Sequence, residues 1–524
     1  MTSTTFGSAR RRLAGALALT SVLAGCGSGE SILQAGNDRP AVTTAPPTAP
    51  ATTIPGQTTV PGQTTVPPPT TAPPTTVPRP IDSLPPCDVD VLAEASASGP
   101  VELLFWHGLA NENGRTLERV VDEYNQSQDR VRVQLEFQGG YEQTIDKYLQ
   151  SNTDNRPDVV QLPEYATQVM IDTKSAVPVQ ACMEDAGYDS SPLLPSALRA
   201  YATEGVQWSM PFNLSNPVLF YNKKIFRDAG LDPDRPPLTL AEVSQAGQAI
   251  QQSGAAAFGL VTDSTPDGGG GWFLEQWLAK EGQLYSDNDN GRSAPSTRVL
   301  FDGPEGVALL TELREVIATG GGVYVGENPT GQDNFLKMAD MSAQGSMTIA
   351  TSASLGPVLQ FVEGGIIPGI TADDIGVGPM PSPNGRPGAL IGGNSLWISD
   401  HDDAKSAAAW DFISWLVSAA VQSDFAAASG YVPVNSGAVE LEPLRTVYTD
   451  DPRFKVAYDQ IAASPDTAAM AGPILGPQRE VRVTAAAAVG RIMNGADPAT
   501  ELASAAADAN ALLADYNARR EPGG

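Results

Sequence analysis

Histidine and cysteine are scarce in this 524-residue chain, which contains only two histidines and three cysteines. A zinc site built from these residue types needs three or four convergent ligands, so the sequence does not favour one. A Ser-His-Asp relay would have to use His107 or His401, and no Gly-x-Ser-x-Gly, phosphate-loop or dinucleotide motif surrounds either residue. We therefore expect no enzyme activity, no metal and no cofactor.

Positive charge is scarce as well. The chain has 32 Lys and Arg against 60 Asp and Glu, a formal net charge of -28. This charge repels nucleic acid and anionic membrane surfaces, so we expect neither as a partner. It does not exclude a small anionic ligand, because salt screens distant charges beyond roughly 8 Å and local donors in a cleft then dominate. The length favours two or more domains.

The N-terminal 26 residues have the pattern of a secretory signal. Arg10–Arg12 precede an apolar run, 13–23, that is too short to span a bilayer. The run ends in Leu-Ala-Gly-Cys, which resembles a bacterial lipobox in which Cys26 is acylated. We therefore expect a lipoprotein signal at 1–26 and an extracytoplasmic protein anchored by Cys26 to the outer face of the cell membrane. The alternative is an ordinary signal with a chance cysteine.

Residues 27–97 are interpreted as a disordered stalk. Positions 41–80 contain 13 Thr and 12 Pro, with the hexamer Pro-Gly-Gln-Thr-Thr-Val twice in tandem. Such a composition cannot bury a core and favours extended polyproline II geometry. At about 3.1 Å per residue the stalk reaches at most on the order of 120 Å. It either lifts a receptor away from the membrane or is a passive tail.

Two cysteines remain after lipidation of the first. In an oxidising compartment an even remainder favours one disulfide, between Cys87 and Cys182. This bond would fasten the start of the folded body to its first lobe. The alternative is a pair of unbonded buried thiols.

The folded body begins near residue 98, where strand-like and helix-like patterns alternate. Three apolar runs are separated by two stretches with the 3.6-residue periodicity of an amphipathic helix. This order predicts a parallel sheet, and ligands bind beyond the carboxyl ends of the strands in such sheets. His107, Tyr141 and Glu164 should therefore lie at the rim of one cleft. The segments are strands at 101–107, 131–137 and 158–162 and helices at 117–124 and from 141.

Several segments resemble the family 1 extracellular solute-binding proteins of ABC importers, a group that includes maltose- and glycerol-3-phosphate-binding proteins. The similarity to the glycerol-3-phosphate receptors is strongest. The matching segments lie in family order and cover nearly the whole body. They are FWHGLANENGRTLERVVDEYN at 105–125, GGYEQT at 139–144, PFNLSNPVLFYNK at 211–223, AGLDPDRPP at 229–237, YVGEN at 324–328, LIGGNSLWI at 390–398 and SGYVPV at 429–434.

The resemblance implies an α/β fold of the type II periplasmic-binding-protein class, with a ligand between two lobes. It places the lobes at 98–213 with 349–400 and at 214–348 with 401–520, with hinge crossings near 213, 348 and 400. It also implies a monomer that delivers its small-molecule ligand to a pair of permeases with a cytoplasmic ATPase.

The resemblance further implies a set of ligand-binding residues. Arg482 could hold phosphate through two parallel hydrogen bonds, although Arg479 is a close alternative in the alignment. Gly393 offers an unobstructed backbone N–H, and Glu164, which only accepts, should face glycerol hydroxyls. The expected set is Tyr141, Glu164, Ser215, Leu240, Thr351, Ser352, Gly393, Tyr431 and Arg482.

One position departs from the pattern of the glycerol-3-phosphate receptors. Leu240 stands where they carry a tryptophan, which predicts a wider wall that admits a diester such as glycerophosphocholine. Trp272 either stacks on a choline cation or caps a lobe core.

Three other functions remain as alternatives. An oligosaccharide receptor should show several stacking aromatic rings and no buried arginine in its cleft. A secreted hydrolase or a structural wall lipoprotein fits the residue inventory less well.

Overall fold

The computed structural model describes residues 80–319, 321–328, 331–365 and 369–520. The predicted signal, Cys26 and nearly all of the predicted stalk lie outside these residues. Within them, no helix has both the length and the apolar character needed to cross a bilayer.

Fourteen strands are present in the described residues. Most belong to two sheets, and a small hairpin forms a third. The strands are β1 (Val101–His107), β2 (Val131–Phe137), β3 (Val159–Pro163), β4 (Ala176–Val177), β5 (Ala202–Thr203), β6 (Val206–Gln207), β7 (Met210–Ser215), β8 (Pro217–Asn222), β9 (Phe258–Thr262), β10 (Val323–Tyr324), β11 (Gly345–Thr351), β12 (Ile375–Pro379), β13 (Gly392–Ser399) and β14 (Val432–Pro433).

Helices cover both faces of the two large sheets. They are α1 (Val91–Ala95), α2 (Asn111–Ser127), α3 (Tyr141–Gln150), α4 (Thr167–Asp172), α5 (Val179–Asp185), α6 (Pro195–Ala200), α7 (Lys223–Asp228), α8 (Leu240–Ser253), α9 (Trp272–Lys280), α10 (Pro304–Ala318), α11 (Asp333–Ala339), α12 (Leu355–Glu363), α13 (Asp403–Leu416), α14 (Ala419–Ser429), α15 (Leu444–Asp450), α16 (Val456–Ala462), α17 (Ala468–Ala471), α18 (Gln478–Met493) and α19 (Pro498–Arg520).

Short 3₁₀ helices connect several of these elements. They are Pro80–Ser83, Glu164–Ala166, Ser352–Ser354, Ala372–Asp374, Ser436–Glu440 and Pro452–Lys455. The segment Asp287–Gly291 is a turn whose three central residues have left-handed backbone conformation.

The first large sheet has the strand order β14-β7-β13-β3-β1-β2, with β4 beside β13. The strand β1 pairs in parallel with β2 and β3, as the β-α-β-α-β pattern predicts. The strand β13 runs antiparallel between β3 and β7. We call this sheet and the elements packed on it the first lobe.

The second large sheet has the order β10-β9-β11-β8-β12. The strand β8 is antiparallel to both of its neighbours, while β9 and β11 are parallel. The helices α10, α18 and α19 pack together in its core. This sheet and its helices form the second lobe, so the predicted two-lobed α/β clamshell is confirmed.

Strand pairing corrects two of the predicted lobe boundaries. Residues 349–379 were assigned to the first lobe, but β11 and β12 pair on either side of β8 in the second sheet. Residues from 401 were assigned to the second lobe, but α13 packs on β1 and β13 of the first sheet. The chain therefore crosses between lobes at 216, between 379 and 392, and between 433 and 456. The two wrong positions depend on non-local pairing, which has no local sequence signal.

A glutamine joins the segments that cross between the lobes. Gln460, 5% exposed, donates from Nε2 to Asn216 Oδ1 and to the Pro217 carbonyl, each at 2.8 Å. Its Oε1 accepts from the Met380 amide at 2.8 Å. Three separate parts of the chain are thus held by one side chain at the hinge.

The start of the folded body is fastened to the first lobe. A disulfide joins Cys87 to Cys182 of α5, as the sequence predicts, across a sequence separation of 95 residues. The Val89 amide also donates to Asp185 at 2.8 Å. The predicted boundary at residue 97 is therefore wrong: part of the segment assigned to the stalk, including Cys87 and α1, packs on the first lobe, so the folded body begins before residue 98.

Candidate ligand-binding site

Two tyrosine hydroxyls meet at the edge of the first sheet. Tyr141 begins α3, and its ring packs so closely on Gly108 that a Cβ there would lie 2.6 Å from the tyrosine Cδ1. Its hydroxyl lies 2.9 Å from the hydroxyl of Tyr431, which follows α14. Residues distant in sequence therefore form one polar surface at the carboxyl ends of β1 and β3.

Buried asparagines surround this tyrosine pair. Asn113, Asn213 and Asn394 are each 0% exposed, and Asn213 accepts a hydrogen bond of 2.8 Å from Gln161. The amides of Asn113 and Asn394 have no hydrogen-bond partner of good geometry within the described residues. Burial raises the pKa of Tyr141, so its hydroxyl stays protonated. This wall presents donors and acceptors of neutral character, suited to hydroxyl groups.

A buried arginine links the two lobes. Arg482, 2% exposed on α18, donates from Nη2 to Glu164 Oε1 of the first lobe at 3.0 Å. Its Nε and Nη2 also donate to Glu275 of α9, each at 2.8 Å. Nη1 makes only a longer contact, 3.4 Å, with Asp267, and the guanidinium stacks 5.3 Å above the ring of Tyr165.

The charges in this cluster perturb one another. Burial raises the pKa of Glu164 to about 7, and attraction to Arg482 opposes the rise. Burial by itself would lower the pKa of Arg482, but Glu275, Glu164 and Asp267 together raise it above its ordinary value. Arg482 is therefore a permanent cation, whereas Glu164 titrates near neutral pH.

A small cavity of about 10 Å³, room for about one water molecule, lies beside this cluster. One wall is Trp272, 7% exposed, whose ring lies so close to Gly392 that a Cβ there would be 2.4 Å from Cζ2. Trp272 therefore bridges α9 and the start of β13. Its ring belongs to the cavity wall and not to a lobe core alone. Charged and polar lining residues are Glu164, Glu275, Arg292, Gln478 and Arg482.

The predicted backbone donor lies where the sheet needs a glycine. Gly393 has φ of +98°, and a Cβ there would lie 2.0 Å from the Asn213 carbonyl oxygen. Gly392, its neighbour, pairs with Ser215 of β7, which is 7% exposed. Ser215 and Gly393 are therefore adjacent at the first crossing between lobes.

Thr351 and Ser352 lie beside the same crossing. Thr351 caps the 3₁₀ helix that follows β11 by accepting from the Ala353 amide. Ser352 pairs with Asn216, donating its amide to the Asn216 carbonyl at 2.8 Å. These hydroxyl residues are engaged in backbone contacts at the hinge.

Leu240 and His107 do not match the expected roles at a cleft. Leu240 is 0% exposed in the hydrophobic core of the second lobe, so its position gives no support to a widened cleft wall. His107 is buried between the rings of Phe105 and Phe137, and burial lowers its pKa to about 4. Leu240 is a core residue because it is the first residue of α8 and its side chain packs in the hydrophobic core of the second lobe.

The sequence of this chain matches a known protein family. A family model described as bacterial extracellular solute-binding protein matches residues 119–456. The chain belongs to this family. The resemblance detected in the sequence is thereby confirmed.

Two curated relatives of this solute-binding protein are named for glycerol 3-phosphate. The sn-glycerol-3-phosphate-binding periplasmic protein UgpB of Yersinia pestis is 28% identical over 399 residues, which is 74% of this chain and 86% of the relative. The UgpB of Pectobacterium atrosepticum is 27% identical over 82% of this chain and 94% of its own length.

Solved structures with the same fold include receptors of different ligands. UgpB from Mycobacterium tuberculosis in complex with glycerophosphocholine has a TM-score of 0.62 at 20% identity and covers 80% of this chain and 99% of its own. The cyclic α-maltosyl-1,6-maltose-binding protein from Arthrobacter globiformis has a TM-score of 0.66 at 23% identity, covering 79% and 99%. At these identities the likeness concerns the fold.

Sequence reasoning missed several residues of the solute-binding protein's cleft. Glu275 interrupts the apolar helix WFLEQWLAK, and that lone acid was an available signal for a buried charge. Arg292 lies in a polar turn where nothing distinguishes it from a surface residue. Asn113, Asn213 and Asn394 became visible only when the sheet edge brought them together.

The outer rim of the cleft carries further ion pairs between lobes. Arg479, three residues before Arg482, contacts Glu142 at 2.7 Å and Asp146 at 3.6 Å, with its side chain 49% exposed. Arg520 contacts Asp172 of α4 at 2.8 Å. Of the two candidate arginines, Arg482 is the interior one and Arg479 the peripheral one.

Proposed function

We propose that this solute-binding protein is the receptor of an ABC importer for glycerol 3-phosphate or a glycerophosphodiester such as glycerophosphocholine. The observation that carries the proposal is the buried guanidinium of Arg482, which faces a carboxylate of the opposite lobe at 3.0 Å. A receptor for neutral sugars has no need of a cation in this place. The names of relatives 27–28% identical over most of the chain support the same ligand class.

Arg482 offers phosphate one edge of its guanidinium. Its Nε and Nη2 are engaged by Glu275, so the two parallel bonds expected from the sequence are already formed with protein. Nη1, held only at 3.4 Å by Asp267, is the donor best placed for a phosphate oxygen. The Glu275 pair keeps the side chain in a fixed orientation for this contact.

The polyol end of the ligand suits the tyrosine and asparagine wall. Tyr141 and Tyr431 present hydroxyls, and Asn113 and Asn394 present amides with unused hydrogen-bonding capacity. Ligand hydroxyls would supply the missing partners. Closure of the lobes around the ligand would then present the closed form to the permease pair.

An oligosaccharide ligand is the second candidate. The observation in its favour is the aromatic surface at the cavity, where the ring of Trp272 forms a wall and the ring of Tyr165 lies beneath Arg482. Aromatic faces pack on sugar rings. Against it stands the buried arginine, which this candidate does not predict.

We further propose that acylated Cys26 anchors the protein to the outer face of the cell membrane. The Leu-Ala-Gly-Cys sequence after a short apolar run supports this anchor. A Cys26→Ser variant should move from the membrane fraction to the soluble fraction. Equal membrane association of the variant and the parent would contradict the anchor.

A thermal-shift series tests the proposed ligand. Three ligands are compared: glycerol 3-phosphate, glycerophosphocholine and a maltooligosaccharide. Each is added at a concentration of about 100 times a dissociation constant in the micromolar range, at which a ligand that binds adds about 2.7 kcal/mol to the free energy of unfolding. We expect a raised melting temperature with the phosphate ligands and none with the sugar. The reverse pattern would replace the proposal with the oligosaccharide receptor. Product release over time would indicate an enzyme instead.

A further inference from the structure

The cavity beside Arg482 contains a second arginine whose charge is not balanced by an acid. Of the four charged side chains that line it, Arg482 is matched by Glu275 and Glu164. Arg292 makes no ion pair with any carboxylate in the described part of the chain. It is therefore the cavity's unmatched positive charge.

All five N–H groups of Arg292 donate to backbone carbonyls. Nε donates to Gly472 at 3.0 Å, Nη1 to Arg199 and Ala202 at 2.7 Å each, and Nη2 to Ala200 and Ala471. These carbonyls belong to two segments, one at the C-terminal end of α6 and one at the C-terminal end of α17. The side chain is fixed, and no N–H remains for a ligand.

Carbonyl oxygens replace water around a guanidinium but leave its formal charge in place. Burial, and then the nearby charge of Arg199, lower the pKa of Arg292, which means that its positive charge is held at a cost in free energy. An anion bound to Arg482 in the cleft, beside this cavity, would relieve that cost, because the attraction acts across a medium of low effective dielectric. A neutral or zwitterionic ligand would relieve it less.

We propose that Arg292 is a specificity-determining residue that favours ligands with net negative charge, acting through its charge and without a hydrogen bond to the ligand. The inference rests on the proposed function, since it assumes that glycerol phosphates occupy this cleft. Arg482 would contact the phosphate directly. Arg292 would make the cleft prefer a dianionic glycerol phosphate over a zwitterionic one.

The test compares two ligands that share the glycerol phosphate group but differ in net charge. Glycerol 3-phosphate is a dianion near neutral pH, and glycerophosphocholine is a zwitterion. Dissociation constants for both are measured by calorimetry with the parent protein and with Arg292→Gln, Arg292→Met and Arg292→Lys. Replacement of Arg292 by neutral glutamine or methionine should weaken binding of glycerol 3-phosphate at least about tenfold. Binding of glycerophosphocholine should weaken distinctly less. The lysine variant should keep the ratio of the two constants within about twofold.

A purely structural role predicts a different pattern. Loss of the carbonyl contacts would weaken binding of both ligands by the same factor, and the lysine variant would behave like the glutamine variant. Either result overturns the inference. If the neutral variants do not fold, a lysine variant that loses the charge preference still overturns it. A parent protein that binds neither ligand contradicts the proposed function itself, so the two failures are distinguishable.

Discussion

Arg482 and Glu275 form a bidentate ion pair, with Nε and Nη2 each 2.8 Å from a carboxylate oxygen of Glu275. Both residues lie on helices of the second lobe, α18 and α9, and both are 2% exposed. The pair holds the guanidinium with its remaining edge toward Glu164 of the first lobe. The cleft therefore contains a cation that is oriented before any ligand arrives.

Replacement of Arg482 by alanine should weaken binding of the phosphate ligand by about 2–5 kcal/mol, because a buried charge contact is lost. The same change leaves Glu275 buried without its cationic partner, so the free energy of unfolding should fall by about 3–5 kcal/mol. Calorimetry and denaturant unfolding measure the two effects separately.

Arg479→Ala is the matched control on the same helix. Its side chain is 49% exposed and its ion pairs lie at the rim, so stability should change by less than about 1 kcal/mol. A control variant that loses as much affinity as Arg482→Ala would show that the alternative arginine holds the ligand.

Glu164 should make stability depend on pH. Burial raises its pKa from 4.5 to about 7, so the folded state binds this proton more tightly than the unfolded state does. Its contribution to the free energy of unfolding is therefore greatest below about pH 4.5, falls as the pH rises toward 7, and is level above that. Urea unfolding of the parent and of Glu164→Gln at pH 5 and pH 8 measures the difference.

The parent should lose stability relative to Glu164→Gln between these two pH values. Glu112→Gln, at a position whose side chain is 47% exposed, serves as the control and should leave the pH dependence unchanged. Parallel pH profiles for the parent and Glu164→Gln would contradict the environment assigned to this carboxyl.

Local patterns in the sequence predicted the first half of the first sheet well. The strands β1, β2 and β3 coincide with the apolar and alternating runs, because each is specified by its own side-chain period. The rim position of Tyr141 and Glu164 followed from strand direction. Contacts between distant segments were not predicted. The strand β12 pairs with β8 across more than a hundred residues, and Glu275 reaches Arg482 only because two helices pack together.

The hinge glutamine should contribute to stability through its three hydrogen bonds. Gln460→Ala leaves the buried Met380 amide without its acceptor, which should lower the free energy of unfolding by about 1–3 kcal/mol. Denaturant unfolding checks the value. Gln251→Ala, at an exposed position with one side-chain bond to the Ala257 carbonyl, is the control and should change stability by less than about 0.5 kcal/mol. Equal losses of stability in the two variants would show that the hydrogen bonds of Gln460 contribute no more than that of an exposed glutamine.

The disulfide should stabilise the folded body. Replacing both Cys87 and Cys182 by serine opens a loop with a sequence separation of 95 residues, and the free energy of unfolding should fall by about 2–5 kcal/mol. Cys26→Ser changes a thiol outside this bond and should leave stability unchanged. A double variant as stable as the parent would show that the bond does not constrain the chain.

The central claim is that the cleft binds a glycerol phosphate through the cation of Arg482. Calorimetric titration of the parent protein and of Arg482→Ala with glycerophosphocholine tests it most directly. The account predicts saturable one-to-one binding by the parent and a dissociation constant at least about thirtyfold weaker in the variant. Equal affinities, or binding by the parent only to a maltooligosaccharide, would contradict it.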